Sequence, residues 1–229
     1  MADISSGRYR AVLFDLDGTL IDTAPDMVRA LTEMQVRYGV SPVDYETGRS
    51  QVSNGAIGLL RTGFPDRDIE FGDPLHHEFL ALYESDLARE SALFPGLDRL
   101  LEKLESAAIP WGIVTNKPQV LTEKLLDALD LRHRSAATVC GDTLTARKPD
   151  PAPLLHATSL AGLDPASTIY VGDALRDIQA GQNAGMATIA ARYGYITADD
   201  DAARWNADII AADTDELAQI ILKAVNLLA

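Results

Sequence analysis

Short apolar runs without polar alternation constrain this chain most. Ala11-Val12-Leu13-Phe14 is followed, after a long gap, by Trp111-Gly112-Ile113-Val114, Ala137-Thr138-Val139-Cys140 and Thr168-Ile169-Tyr170-Val171. A strand with one face in water alternates polar and apolar residues, whereas an unbroken run suits a strand buried on both faces of a parallel sheet. The intervening segments supply helices to cover such a sheet. Leu97, Leu100, Leu101 and Leu104 share one helical face, as do Leu121, Leu125 and Leu129, and the stretch from Pro153 to Ala161 is rich in alanine and leucine. Asp208-Ile209-Ile210 adds a late strand, and Leu217, Ile220, Ile221, Val225 and Leu228 add a closing helix. This rhythm predicts an α/β fold with a Rossmann-like parallel sheet.

One stretch breaks the rhythm. Between about Asp22 and Ala92 no strand pattern appears, but Met27, Leu31, Met34 and Tyr38 recur at helical spacing, and Phe79, Leu82, Tyr83 and Leu87 form a second apolar face. Thr23, Pro25 and Asp26 supply an N-cap, an early proline and an acidic first turn. The expectation is an all-helical cap domain over residues 22–92, inserted after the first strand of a core made of residues 1–21 and 93–229. No internal repeat or low-complexity segment is found, and Asp199-Asp200-Asp201 reads as a solvated loop.

Composition narrows the partners. The 229 residues carry a formal charge of −14, with 47% hydrophobic and 24% charged residues, as in an ordinary folded protein. An acidic surface repels nucleic acid and anionic membranes. The apolar runs are far too short for a membrane span, and the first residues lack the basic and apolar regions of a secretory signal. A single cysteine, Cys140, excludes an internal disulfide and fits a reducing cytoplasm. Nothing marks an oligomeric interface.

The chemistry-bearing residues sit where the buried runs end. Asp15-Leu16-Asp17-Gly18-Thr19 follows the first, Thr115-Asn116-Lys117-Pro118 the second, a loop to Arg147-Lys148-Pro149-Asp150 the third, and Gly172-Asp173-Ala174-Leu175-Arg176-Asp177 the fourth. Alone, Asp-Gly is ordinary turn chemistry. The carboxyl ends of parallel strands open on one crevice, however, so four polar groups at four strand ends converge. Carboxylates without a His or Cys cluster make an all-oxygen site suited to Mg²⁺ rather than zinc. Thr115 and Lys148 are donors suited to phosphate oxygens, and a metal plus a lysine can screen an aspartate nucleophile from the anion that it attacks.

Asp15-x-Asp17-Gly-Thr, Thr115, Lys148 and Gly172-Asp173-x-x-x-Asp177, in that order, resemble the haloacid dehalogenase superfamily, and the helical insert resembles its helical cap. The resemblance spans nearly the whole chain. It implies that Asp15 is the nucleophile that becomes an aspartyl-phosphate and that Asp17 is general acid and then base. It also implies that Thr115 and Lys148 hold the phosphoryl group, with Lys148 restraining Asp15. Asp15, the Asp17 carbonyl and Asp173 would bind Mg²⁺, with Asp177 as a further or outer ligand. Dehalogenases of the superfamily lack the second acid, because halide leaves unprotonated while an alkoxide needs a proton, so Asp17 favours phosphate esters. The first motif, extended through Ile21-Asp22-Thr23-Ala24-Pro25-Asp26, resembles the phosphoglycolate phosphatases. Trp111–Pro118, Leu163–Ser167, Arg192–Ile196 and Trp205–Asp208 resemble bacterial N-acetylmuramic acid 6-phosphate phosphatases.

Within the cap, Ser53-Asn54-Gly55-Ala56 reads either as a loop entering the site or as a plain turn between helices. Arg49 and Arg61 read either as contacts for a substrate carboxylate or as surface arginines. Asn116 offers an amide to substrate. His76-His77, which point in different directions on a helix, read as solvated surface rather than metal ligands, Cys140 as a buried strand thiol rather than a nucleophile, Trp111 as core, and Trp205 as a pin for the loop after Tyr195. The expected activity is Mg²⁺-dependent hydrolysis of a small phosphorylated metabolite, 2-phosphoglycolate or N-acetylmuramic acid 6-phosphate. The competing readings are a sugar phosphomutase and a catalytically silent binding module.

Overall fold

The computed structural model describes Ile4, residues 8–197 and residues 200–228. The amino-terminal start and Asp199 of the acidic loop therefore lie largely outside the described residues. Strand β1 (Ala11–Phe14) is buried throughout. β2 (Ile21–Asp22) follows, then α1 (Ala24–Arg37), α2 (Tyr45–Ser50), a 3-10 turn at Val52–Asn54, α3 (Gly55–Gly63) and α4 (Pro74–Ser85). β3 (Ala92–Leu93) returns to pair antiparallel with β2, Ile21 opposite Leu93 and Asp22 opposite Ala92. The chain continues through α5 (Leu97–Ser106), β4 (Trp111–Val114), α6 (Gln119–Ala128), β5 (Thr138–Val139), α7 (Ala152–Ala161), β6 (Thr168–Gly172) and α8 (Leu175–Asn183), and closes with β7 (Ala187–Ala191), β8 (Ile209–Ala211) and α9 (Thr214–Ala224).

Six strands form one parallel sheet in the order β5-β4-β1-β6-β7-β8. The unbroken apolar runs lie where both faces are covered: β1, β4 and β6 are buried at every position. Leu97, Leu100, Leu101 and Leu104 are the buried stripe of α5, as their spacing predicts. β5 is half the expected length, and β7 answers to no sequence expectation, because alanine, a weak strand former, fills three of its five positions and only Thr188 and Ile189 are β-branched. The β2–β3 ribbon, two residues a side, is too short to show a period. Among the described residues no helix is long and apolar enough to cross a membrane.

The residues at the start of α1 do other work than capping by their own side chains. Thr23 makes no side-chain cap bond, and its backbone N–H and that of Ala24 donate to the Tyr195 hydroxyl at 2.7 and 2.9 Å. Asp26 is fully buried and accepts from the backbone N–H of Glu90 and Ser91 and from Ser91 Oγ, at 2.7 to 3.2 Å, fastening α1 to the segment that returns to β3. Burial alone would raise its pKa, but these hydrogen bonds outweigh burial and hold it below the ordinary carboxylate value. Asp26→Ala leaves these three donors, and Arg29 Nη2 at 3.2 Å from Asp26 Oδ1, without that acceptor and is expected to cost about 3 kcal/mol in urea unfolding at pH 7. A carboxylate with a lowered folded pKa stabilises above its unfolded pKa and loses that contribution as pH falls through the folded one. The gap between wild type and variant should therefore shrink below about pH 4.

Candidate active site

The site is built at the carboxyl edge of the sheet. Asp15 follows β1, Thr115 follows β4, Asp173 and Asp177 follow β6, and Lys148 arrives on the loop between β5 and α7. Asp15, Asp173 and Asp177 are buried and each presents an oxygen within 4.8 Å of the others. Lys148, its side chain 1% exposed, reaches Asp15 Oδ1 at 2.8 Å and Asp177 Oδ1 at 2.7 Å, and donates to Val114 O and the Tyr170 hydroxyl. Asn116 clamps the same segment, donating to Lys148 O and accepting from Lys148 N, both at 3.2 Å.

Burial pushes the pKa of Asp15 up, and the neighbouring Asp177 and Asp173 push it further while Lys148 opposes them. Burial and Asp177 likewise raise Asp173, against hydrogen bonds from Ser53 and the Tyr195 backbone. Three crowded carboxylates are short of positive charge even with Lys148 and Arg176 beside them, and Asp177 Oδ1 is buried without a well-aligned hydrogen bond. An all-oxygen donor set of this kind fits a hard divalent cation. The backbone is shaped around it: at Gly18, φ +84°, a Cβ would lie 2.2 Å from Asp173 Oδ2, so only glycine passes there.

Asp17 stands apart from this cluster. Its Oδ1 accepts from Thr23 Oγ1 at 2.7 Å and from Lys117 Nζ at 2.9 Å, and Lys117 also donates to the Tyr83 hydroxyl at 3.0 Å. Burial would lower the Lys117 pKa, but Asp17 and Tyr83 overcome it and hold the ammonium charged, well above its ordinary value. The sequence pattern places Tyr83 on an apolar helix face and gives Lys117 no site role. Lys117, two residues after Thr115, is the one local signal, but its partner lies 100 residues away.

The face of Asp15 and Asp17 opens on a cavity of about 530 Å³, which Thr115, Asn116, Ser53 and Asn54 also line. Gly55 lies on its wall as well. The Ser53 hydroxyl donates to Asp173 Oδ2 at 2.6 Å, and Arg176, on the cavity wall, donates to Ser53 O at 2.6 Å. Arg49 is directed elsewhere: it donates to the carbonyls of Tyr193 and Gly194 and stacks over the Tyr195 ring, so its donors fasten α2 to the loop after β7. Arg61 bonds Ile69 O and stays half exposed beside Glu70.

His76 corrects the sequence reading. It is 4% exposed and lines the cavity, while His77 is exposed, because neighbours on a helix point about 100° apart. Cys140 is buried, and burial pushes its thiol pKa up, as befits a packed side chain. Trp111 is core, and Trp205 donates to Asp200 Oδ1 at 2.7 Å, fixing the loop before β8.

Comparison with known proteins accords with this geometry. The profile of haloacid dehalogenase-like hydrolases matches residues 12–191. The chain belongs to that family. An N-acetylmuramic acid 6-phosphate phosphatase of Pseudomonas aeruginosa is 42% identical over 219 residues, covering 95% of this chain and 97% of its own. A phosphoglycolate phosphatase of Xanthomonas campestris is 42% identical over 208 residues, covering 91% and 94%. Among solved structures, a predicted phosphoglycolate phosphatase from Haemophilus somnus superposes with a TM-score of 0.81 at 26% identity, covering 93% of this chain and 98% of that one.

As a haloacid dehalogenase-like hydrolase with this carboxylate cluster, the protein is expected to gain stability from a divalent cation. Saturating metal should raise Tm by about 5 °C or more over a chelator control, the scale of a ligand at a hundred times its Kd. Asp173→Asn should remove most of that shift in thermal scans, and an equal shift in the variant would put the cation elsewhere.

Proposed function

We propose that the protein is a Mg²⁺-dependent phosphomonoesterase that works through an aspartyl-phosphate on Asp15. The observation that carries this reading is the pairing of two unlike aspartates on one cavity. Asp15 is held from behind by Lys148, and Asp17 is held through Oδ1 by Thr23 and Lys117, while its other oxygen has no hydrogen-bond partner among the described residues. Asp15, Asp173 and Asp177 would hold the ion, with the Asp17 carbonyl, and the ion supplies charge neutralisation at the phosphoryl oxygens.

The steps balance on the chain's own residues. An Asp15 carboxylate oxygen attacks phosphorus and the bond to the leaving oxygen breaks, while Asp17 gives its proton to that oxygen. Thr115 and Asn116, on the cavity wall, bind phosphoryl oxygens, and Lys148 keeps the Asp15 carboxylate oriented. Asp17, now ionised, takes a proton from water, the water oxygen attacks phosphorus, and the bond to Asp15 breaks, releasing inorganic phosphate.

Residues 22–92 act as the cap, joined to the core through the β2–β3 ribbon. The bonds from Ser53, Arg176 and Arg49 across the cleft support a closed arrangement that excludes water around the reacting phosphate. Ser53, Asn54 and Gly55 would then face the substrate. The relatives support 2-phosphoglycolate or N-acetylmuramic acid 6-phosphate as the substrate, and the single buried cysteine supports a cytoplasmic setting.

Asp15→Asn is expected to abolish phosphate release from p-nitrophenyl phosphate while leaving the folded state intact by circular dichroism. Activity in that variant would refute the nucleophile assignment. Lys117→Met, which frees the Asp17 carboxylate, should lower kcat about 10- to 100-fold with little change in KM, the range for a displaced acid–base group. Rapid-quench measurement should also find its phosphoenzyme longer lived. A rise in KM alone would show instead that Lys117 binds substrate.

A further inference from the structure

The cavity has a second set of walls that the chemistry above does not use. Phe71, His76 and Arg147 line it, together with Ile57, Leu80 and Leu121. Arg147 precedes Lys148 but points away from it: Lys148 turns inward to Asp15, whereas the Arg147 guanidinium lies 5.9 Å from the centroid of the Phe71 ring. The other arginines near the cleft are committed to carbonyls: Arg176 to Ser53, Arg49 to Tyr193 and Gly194, and Arg61 to Ile69. Among the described residues Arg147 has no carboxylate or carbonyl partner. An exposed guanidinium resting on an aromatic face keeps its planar donor fork free for an incoming carboxylate.

His76 adds a donor. Its Nδ1 accepts from the Gly72 backbone N–H at 3.3 Å, so in the neutral ring the proton is on Nε2. Burial and the neighbouring His77 lower its pKa and keep the ring neutral. No acceptor for Nε2–H is found among the described residues, which leaves it for a ligand oxygen. Phe71, 4.8 Å from the His76 ring and 73% exposed, offers a bare aromatic face on the same wall.

We propose that this end of the cavity is the leaving-group subsite, built for the phosphate ester of an N-acylated sugar acid. Arg147 pairs with the carboxylate, His76 Nε2–H donates to the acyl carbonyl, and Phe71 with the aliphatic wall covers the sugar ring. The assignment rests on the phosphatase reading and selects within it. Cavities of roughly 300–1,000 Å³ enclose ligands of drug size, and a two-carbon acid would leave most of this one empty and its unpaired donors unused.

The test compares phosphate release from three probes: N-acetylmuramic acid 6-phosphate, N-acetylglucosamine 6-phosphate, which lacks the carboxylate, and 2-phosphoglycolate. Wild type is expected to show kcat/KM at least tenfold higher for the first than for either of the others. Arg147→Met should cut the ratio of the first to the second by tenfold or more, mainly through KM, and Arg147→Lys should keep part of it. The exposed position of Arg147 leaves Tm as the control for folding. An unchanged ratio in Arg147→Met, or a wild-type preference for 2-phosphoglycolate, would overturn the subsite. Release from none of the three by wild type would overturn the phosphatase reading itself and the subsite with it.

Discussion

The ammonium of Lys148 is the point on which the site depends. A lysine taken out of water is costly unless every donor is met. Here the partners are Asp15 after β1, Asp177 on α8, Val114 O at the end of β4 and the Tyr170 hydroxyl on β6. One cation thus ties together three adjacent strands of the sheet at their carboxyl ends. It also allows Asp15 and Asp177 to lie close together despite burial and mutual repulsion. Removing it would strand two buried carboxylates, so the same contact serves stability and fixes the orientation of the Asp15 carboxylate.

Asp17 is held by a different logic. Its partners come from three parts of the chain: Thr23 at the start of α1, Lys117 after β4 and, through Lys117, Tyr83 on α4. Thr23 and Tyr83 belong to the 22–92 segment, so the Asp17 carboxylate is held in this position only when that segment is docked on the sheet. Ser53 and Arg176 make the same connection on the other side of the cleft, where Ser53 bonds the carboxylate cluster directly. Docking of the helical segment and assembly of the site are therefore one structural event, the arrangement expected where water has to be excluded before reaction.

How much of this was legible in the sequence follows from the range of each interaction. The strands β1, β4 and β6 and the residues at their ends were readable, because burial on both faces writes itself as an unbroken apolar run and the polar residue follows at once. β7 was not, since three of its five buried residues are alanine, which carries no strand signature. The pairing of Lys117 with Asp17 and the diversion of Thr23 from capping to Asp17 depend on contacts between distant segments that no local pattern records. His76 illustrates the same limit. Its sequence neighbour is exposed, and only the docking of α4 decides which of the two turns inward.

The acidity of the chain takes on a local meaning in this setting. A charge of −14 opposes long anionic partners, whose many phosphates sample the whole surface, but a small phosphate ester samples only the cleft. There four aspartates, Asp15, Asp17, Asp173 and Asp177, meet Lys117, Lys148 and Arg176, and a divalent cation added to that set turns its sign positive. The electrostatics of the cleft therefore favour a bound cation, because the carboxylate cluster alone would repel a phosphate ester. The surplus aspartates that make the protein acidic are, at this one place, what recruits the positive charge.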